Sequence, residues 1–522
     1  MTQFREAGKE VTCAEHARAH GLPYSTFLYW QKRGARIDAG PEVKRFFEST
    51  AGVDFLHLLQ VALHVCFTKV GTASIRNVTS FLGQTGLDQF VASSVGSQHA
   101  LSRRIDEEIV SFGKYETQRM AAQMPEKQIC VAQDETFHPD KMCLVVMDPV
   151  SNYIILECYA EKRDSETWSR LVDQALEGLP VKVVWQTSDE AKGLLHHTKV
   201  GLQAQHAPDL FHIQQEIVKG ASRLLGIREQ EARQRHREQM AKTPRSVGKL
   251  RAEPSAKAQV RQIKAGMELA IAYINRSRVQ EGRQNISDAY HPYEIFSGVP
   301  QNAQSVSSKL EKAFKKIEIS TSHLGERCLK RIAKAKRLTP EVAGTITQFF
   351  VLNKLMIEQA VFPRRFQEQL ETALIPGFYL TEVARKEKCQ KRSQAIADGA
   401  TMLLLTFQQR AGPYADLTDV EYADLEKIAR KCAGMFQRSS SCVEGRNAHL
   451  ARYHRGFHRL SDLRLSALTV IHNYLIQRGD GTTAAERFFD NKHGNLFQWL
   501  VNRIDLPVRP HNRKKTELAL VG

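Results

Sequence analysis

Four short apolar runs, each bounded by polar or turn-forming residues, stand out between residues 129 and 188. Residues 129–132 (ICVA) form the first, and it runs on to a carboxylate, Asp134. Residues 141–147 (KMCLVVM) form the second. Asp148-Pro149-Val150-Ser151-Asn152 then supplies the chemistry of a reversal before the third, residues 153–159 (YIILECY). The period now changes, and Trp168, Leu171, Val172, Ala175 and Leu176 recur at helical spacing. Residues 181–185 (VKVVW) return to strand character and lead into a second carboxylate, Asp189. The segment 206–212 brings a short fifth strand back beside the fourth. The pattern predicts an antiparallel meander of three strands, a helix, and two further strands.

The rest of the chain has helical periodicity. Thr12 is placed to cap a helix through Ala19, ended by Gly21, and Pro23-Tyr24-Ser25-Thr26 opens a second helix backed by Phe27, Leu28 and Trp30. Two short helices about a Gly-containing turn, with basic residues after the second, fit a helix-turn-helix. Ser25, Thr26, Tyr29, Gln31, Lys32 and Arg33 are its candidate DNA contacts, and an ordinary helical hairpin is the alternative. Residues 54–70 read as an apolar core helix, 75–82 as another, 96–99 as a break, and 102–124 as a long helix into the sheet. Residues 228–264 are rich in Arg, Lys, Gln and Glu, and suit either an exposed helical arm or a tether. Further helices are expected over 267–279, 302–317, 345–359, 398–409, 439–453 and 466–477. Glu444 falls in the first turns of the helix over 439–453, with Asn447 one turn on, on roughly the same face.

Length changes the picture first: 522 residues exceed one small domain. Lys and Arg outnumber Asp and Glu by 74 to 57, a net charge of +17 that suits a polyanionic partner as well as a merely basic enzyme. The nine cysteines include no C-x-x-C pair, so a zinc ribbon is not expected and the usage fits a reducing cytosol. The first residues carry no apolar core of a signal sequence, and no run is expected to be long enough to span a bilayer.

The strand order with acids after the first and fourth strands resembles a ribonuclease H-like core, in which those two strands lie side by side. With Ser440-Ser441-Cys442-Val443-Glu444-Gly445-Arg446-Asn447 and the later Gly481-Thr482-Thr483-Ala484-Ala485-Glu486-Arg487-Phe488-Phe489, the chain resembles DDE-type insertion-sequence transposases with a long helical insertion. The resemblance implies an α/β ribonuclease H-like core, a mixed five-stranded sheet, within a mostly helical protein. The expected divisions are 1–35 (helix-turn-helix), 36–125 (a helical unit and candidate second DNA-binding unit), 126–225 (first part of the core), 226–435 (all-helical insertion), 436–495 (core completion) and 496–522 (basic tail).

It also implies a catalytic and metal-binding set of Asp134, Asp189 and Glu444, holding two Mg²⁺ or Mn²⁺ ions, and no organic cofactor. Glu135 and Glu190 adjoin the first two acids as alternatives, and Glu486 is the alternative third. Arg446 and Asn447 would touch phosphate or orient Glu444. His212 is either a group behind the acids or, preferably, a packed core histidine. The implied activity is hydrolysis and strand transfer of double-stranded DNA at terminal inverted repeats, by a homodimer in the bacterial cytoplasm, away from any membrane. A DNA-binding protein that has lost catalysis, or a nuclease without strand transfer, is the alternative.

Overall fold

The computed structural model describes residues 12–21, 23–25, 27–28, 38–138, 141–189, 191–242, 255–360, 362–457 and 460–505. Helix α1 (Cys13–Ala19) opens on a reciprocal cap, because the Thr12 hydroxyl accepts from Glu15 N–H at 3.3 Å while the Glu15 carboxylate accepts from Thr12 N–H at 2.8 Å. Gly21, at φ 65°, takes the chain out of it. Tyr24, Ser25, Phe27 and Leu28 are helical again, and the buried Phe27 ring lies 5.3 Å from His16. Thr26, Tyr29, Gln31, Lys32 and Arg33 lie outside the described residues, as does the basic segment 509–515.

Helix α2 (Thr50–Leu63) continues through a π-turn to Val70. Against expectation, this 21-residue stretch is long and apolar enough, by length and composition, to cross a membrane. Two of its buried polar residues, however, find partners in protein. His64 Nε2 meets Gln98 Oε1 at 2.8 Å, and buried Lys69 donates to Ser102 O at 2.9 Å and Asp106 Oδ1 at 2.7 Å. All three partners belong to α3 (Val95–Ala121). The break expected at 96–99 is therefore the first turn of α3. Ser94 caps it, accepting from Ser97 N–H at 3.1 Å, and first-turn N–H groups lack helical partners in any case, so Gly96 and Ser97 are tolerated there.

Strands β1 (Lys127–His138), β2 (Lys141–Asp148) and β3 (Tyr153–Ala160) form the antiparallel meander. Asp148 accepts from Ser151 N–H at 2.9 Å and Asn152 takes φ 63°, which makes the reversal. Asp164 caps α4 (Ser165–Leu176), accepting from Thr167 N–H at 2.8 Å, and the chain returns as β4 (Val181–Ser188) and β5 (Gln205–Pro208). The sheet is mixed, in the order β3-β2-β1-β4-β5, with β1/β4 and β4/β5 parallel.

One face of the sheet buries Cys130, Trp185 and Ala207 in a core shared with the downstream helices. Ile129, Val131 and Val183 belong to a second core with α3 and the last helices. Helix α5 (Leu210–Ile217) follows β5, then α6 (Arg223–Ala241) and α7 (Ala256–Ala289). The arm or tether expected over 228–264 is thus two packed helices where it is described. Arg276 Nη1 lies 2.7 Å from Glu229 and Gln262 Nε2 donates to Gln239 O at 3.2 Å. Helices continue to Gly434, with no strand among the described residues of this stretch, before α8 (Ser441–Phe457) and α9 (Asp462–Tyr474) close the second core.

Candidate active site

The last paired residues of β1 and β4 are Ala132 and Thr187. Asp134 and Asp189 each lie two residues farther along these parallel neighbours, hence at about one height along the sheet. Asp134 is not at the end of β1, as its sequence suggested. The strand runs on to His138 against β2, with Asp134 opposite Val145, and only the β4 side has stopped pairing. The edge of β1 that faces β4 is therefore unpaired at Asp134. Asp189 turns out of β4 and its Oδ1 accepts from Ala191 N–H at 3.0 Å.

Burial and then the charges of Asp189, Glu135 and Glu444 push the Asp134 carboxyl up to about 7, against a 2.9 Å hydrogen bond from Glu135 N–H. Among the described residues, neither Asp134 nor Asp189 makes an ion pair with a basic side chain. Glu135 is in a different situation. Its Oε1 is paired with Arg163 while buried Oε2 has no partner, and burial raises its carboxyl despite the arginine. Glu190 lies outside the described residues.

Glu444 is in the first turn of α8, and Asp209 sets where that helix begins. This buried carboxylate caps α5, accepting from Phe211 N–H at 2.7 Å, and also accepts from Ser440 N–H at 3.2 Å and Ser440 Oγ at 2.5 Å. A single side chain at the end of β5 therefore ties the start of α8 to the sheet. Burial and Asp209 raise the Glu444 carboxyl, and His212 opposes them. His212 is not a packed core residue: it is 37% exposed in the first turn of α5, 3.9 Å from Asp209. Asp209 was missed in the sequence, although an Asp just before an apolar helix is a cap signal.

Asn447 and Arg446 part company. Asn447 Nδ2 donates to Asp134 Oδ2 at 3.2 Å, which joins α8 to the first acid, and its buried Oδ1 has no partner. Arg446, expected at phosphate or at Glu444, is turned the other way. It is buried and makes a two-pronged pair with Glu157 of β3, at 2.8 and 2.6 Å, and Thr469 of α9 adds a third bond at 2.6 Å. Burial alone would raise the Glu157 carboxyl, and Arg446 holds it below the ordinary range. Glu486 is committed elsewhere, capping the helix Ala484–Phe489 with Thr483 and pairing with Lys492 at 2.9 Å. Ser25 is exposed beside α1, remote in sequence from these acids.

Among the described residues, no three His, Cys, Asp or Glu side chains are gathered closely enough to hold an ion as they stand. What exists is a pair of acids, one inside β1 and one just past β4, without a basic partner among the described residues, and joined through Asn447 to the helix that carries Glu444. Residues 370–516 match a family of unknown function (DUF6399), a segment that includes Glu444, Arg446 and Asn447 but neither strand acid. No curated protein matches the chain.

Proposed function

We propose that this protein is a DDE-type DNA transposase with a ribonuclease H-like core. It would bind the inverted repeats at the ends of an element as a homodimer, cut a phosphodiester to free a 3′-OH and join that end to target DNA. One observation carries the reading: Asp134 and Asp189 stand two residues past the last β1/β4 pair with no basic partner among the described residues, and Asn447, one turn after Glu444 on α8, hydrogen-bonds Asp134 at 3.2 Å. The strand order β3-β2-β1-β4-β5, with the third acid on a helix after a long helical segment, supports it.

The donor set fits Mg²⁺ or Mn²⁺, because all three groups are hard oxygen donors and Asp134 already meets repulsion that a cation would relieve. When bound, such ions would neutralise charge on the attacking and leaving oxygens of the phosphodiester. The chain's own part is positional. Asn447 Nδ2 fixes one oxygen of Asp134, the Glu135 N–H fixes the other, and Ala191 N–H orients Asp189. Asp134, whose carboxyl is raised to about 7, would hold such an ion in its ionised form.

The test uses a supercoiled plasmid carrying the gene with its flanking DNA. Nicking and joining are expected with Mg²⁺ and not with EDTA. Asp134→Asn, Asp189→Asn and Glu444→Gln should each lower the rate on the order of a hundredfold or more while DNA binding persists. Glu135→Gln should be milder. Unchanged cleavage in all three variants would remove the reading.

A further inference from the structure

The first half of the long helix α7 has two opposite faces, and among the described residues only one of them is covered. Ala265 is buried against α6, and Gln262, Glu268 and Arg276 reach α6 residues through a hydrogen bond to Gln239 and ion pairs with Arg235 and Glu229. About half a turn away lie Val260, Ile263, Met267, Ile271 and Ile274, with exposures of 65, 64, 61, 57 and 43%. At roughly 100° per residue these five fall within an arc of about 80°, with no charged residue inside it. Their steps are three, four, four and three residues, the spacing of a helix-pairing seam. Isolated apolar residues on a surface need no explanation, but a continuous stripe of four turns on a helix otherwise rich in Lys, Arg and Gln does.

The spacing is also palindromic about Met267. A two-fold axis across the helix at that residue sets Val260 against Ile274, Ile263 against Ile271 and Met267 against its own copy, which is the self-complementarity an isologous contact requires. The five side chains offer roughly 500 Å² per copy, so a self-pair covers about 1,000 Å², the lower bound of a specific interface.

We propose that this outer stripe of α7 is a self-pairing surface, at which two copies of the chain join as an antiparallel helix pair. It gives a surface to the homodimer proposed above and rests on that part of the reading alone, since nothing in the contact depends on DNA cleavage. The α6–α7 hairpins of the two copies would then meet at Met267.

Sedimentation equilibrium of the full chain without DNA tests it. A dimer is expected at micromolar concentration, and Met267→Glu, which sets two carboxylates face to face, should weaken it at least tenfold with an unchanged circular dichroism spectrum. In a chain whose exposed Cys66 and Cys389 are replaced by serine, Met267→Cys should link two copies under mild oxidation. Val260→Cys alone should not, and Val260→Cys combined with Ile274→Cys should. A monomeric wild type overturns the proposal, as does a dimer indifferent to Met267→Glu, or Val260→Cys linking to itself as readily as Met267→Cys. A wild type that dimerises only after removal of residues 243–254 would mean that the chain's own segment covers the stripe, and this also overturns it. Because mass is read without DNA, failure here is distinct from failure of the cleavage reading.

Discussion

Ionised Asp134 is held in a place that favours its neutral form, so it should work against the fold whenever it is charged. Its carboxyl is raised from the ordinary 3.8 to about 7 by burial and three neighbouring acids. A carboxyl raised in the folded state costs stability as pH climbs from the unfolded value through the folded one, and the cost persists above it. Asp134→Asn should therefore be more stable than the wild type at pH 8 in EDTA, by about 2–4 kcal/mol. The gap should close as pH falls toward 4. Urea denaturation at several pH values reads this directly, and an equal gap at pH 5 and pH 8 would mean that charge is not its source. At this scale the sequence was legible where a residue's role depends on its own strand: Asp134 and Asp189 could be found as acids following β-branched runs. It was illegible where the role depends on a distant partner. Nothing near Arg446 announces Glu157, 289 residues earlier, and nothing near Ser440 announces Asp209.

Helix α8 carries both Glu444 and its anchors, and those anchors separate two readings of Arg446. If the guanidinium served DNA, removing it would leave stability unchanged. Buried against Glu157, it should instead cost about 3–5 kcal/mol as Arg446→Ala, because a carboxylate is left in the core without its counter-charge. Chemical denaturation checks this, and Glu157→Gln in the same chain should restore part of the loss. Strands were readable as elements because apolar runs between turn residues can do little else. Helix ends were less so: Ser94 starts α3 well before Ser102, since a capping hydroxyl decides a start that periodicity only brackets. Thr50–Val70 shows the converse, an apolar stretch whose place is set by a few polar residues, His64 and Lys69, that composition averages away.

At the scale of the whole molecule, the long interval between Asp189 and Glu444 leaves the sheet and returns to it at one residue. Asp209 caps α5, where the helical run departs, and holds Ser440, where it comes back. The interval itself was legible, since 255 residues exceed what a small core needs and their periodicity is helical. The shared anchor was not, because it is made in space by groups 231 residues apart. The central claim is that this return assembles one cation site from three acids. Titration calorimetry of the full chain with Mn²⁺ at pH 7.5 tests it most directly. The wild type should bind with release of a fraction of a proton, larger at pH 6.5 than at pH 7.5, and Asp134→Asn, Asp189→Asn and Glu444→Gln should each weaken binding at least tenfold. Mn²⁺ binding by Glu444→Gln at wild-type affinity would contradict the account.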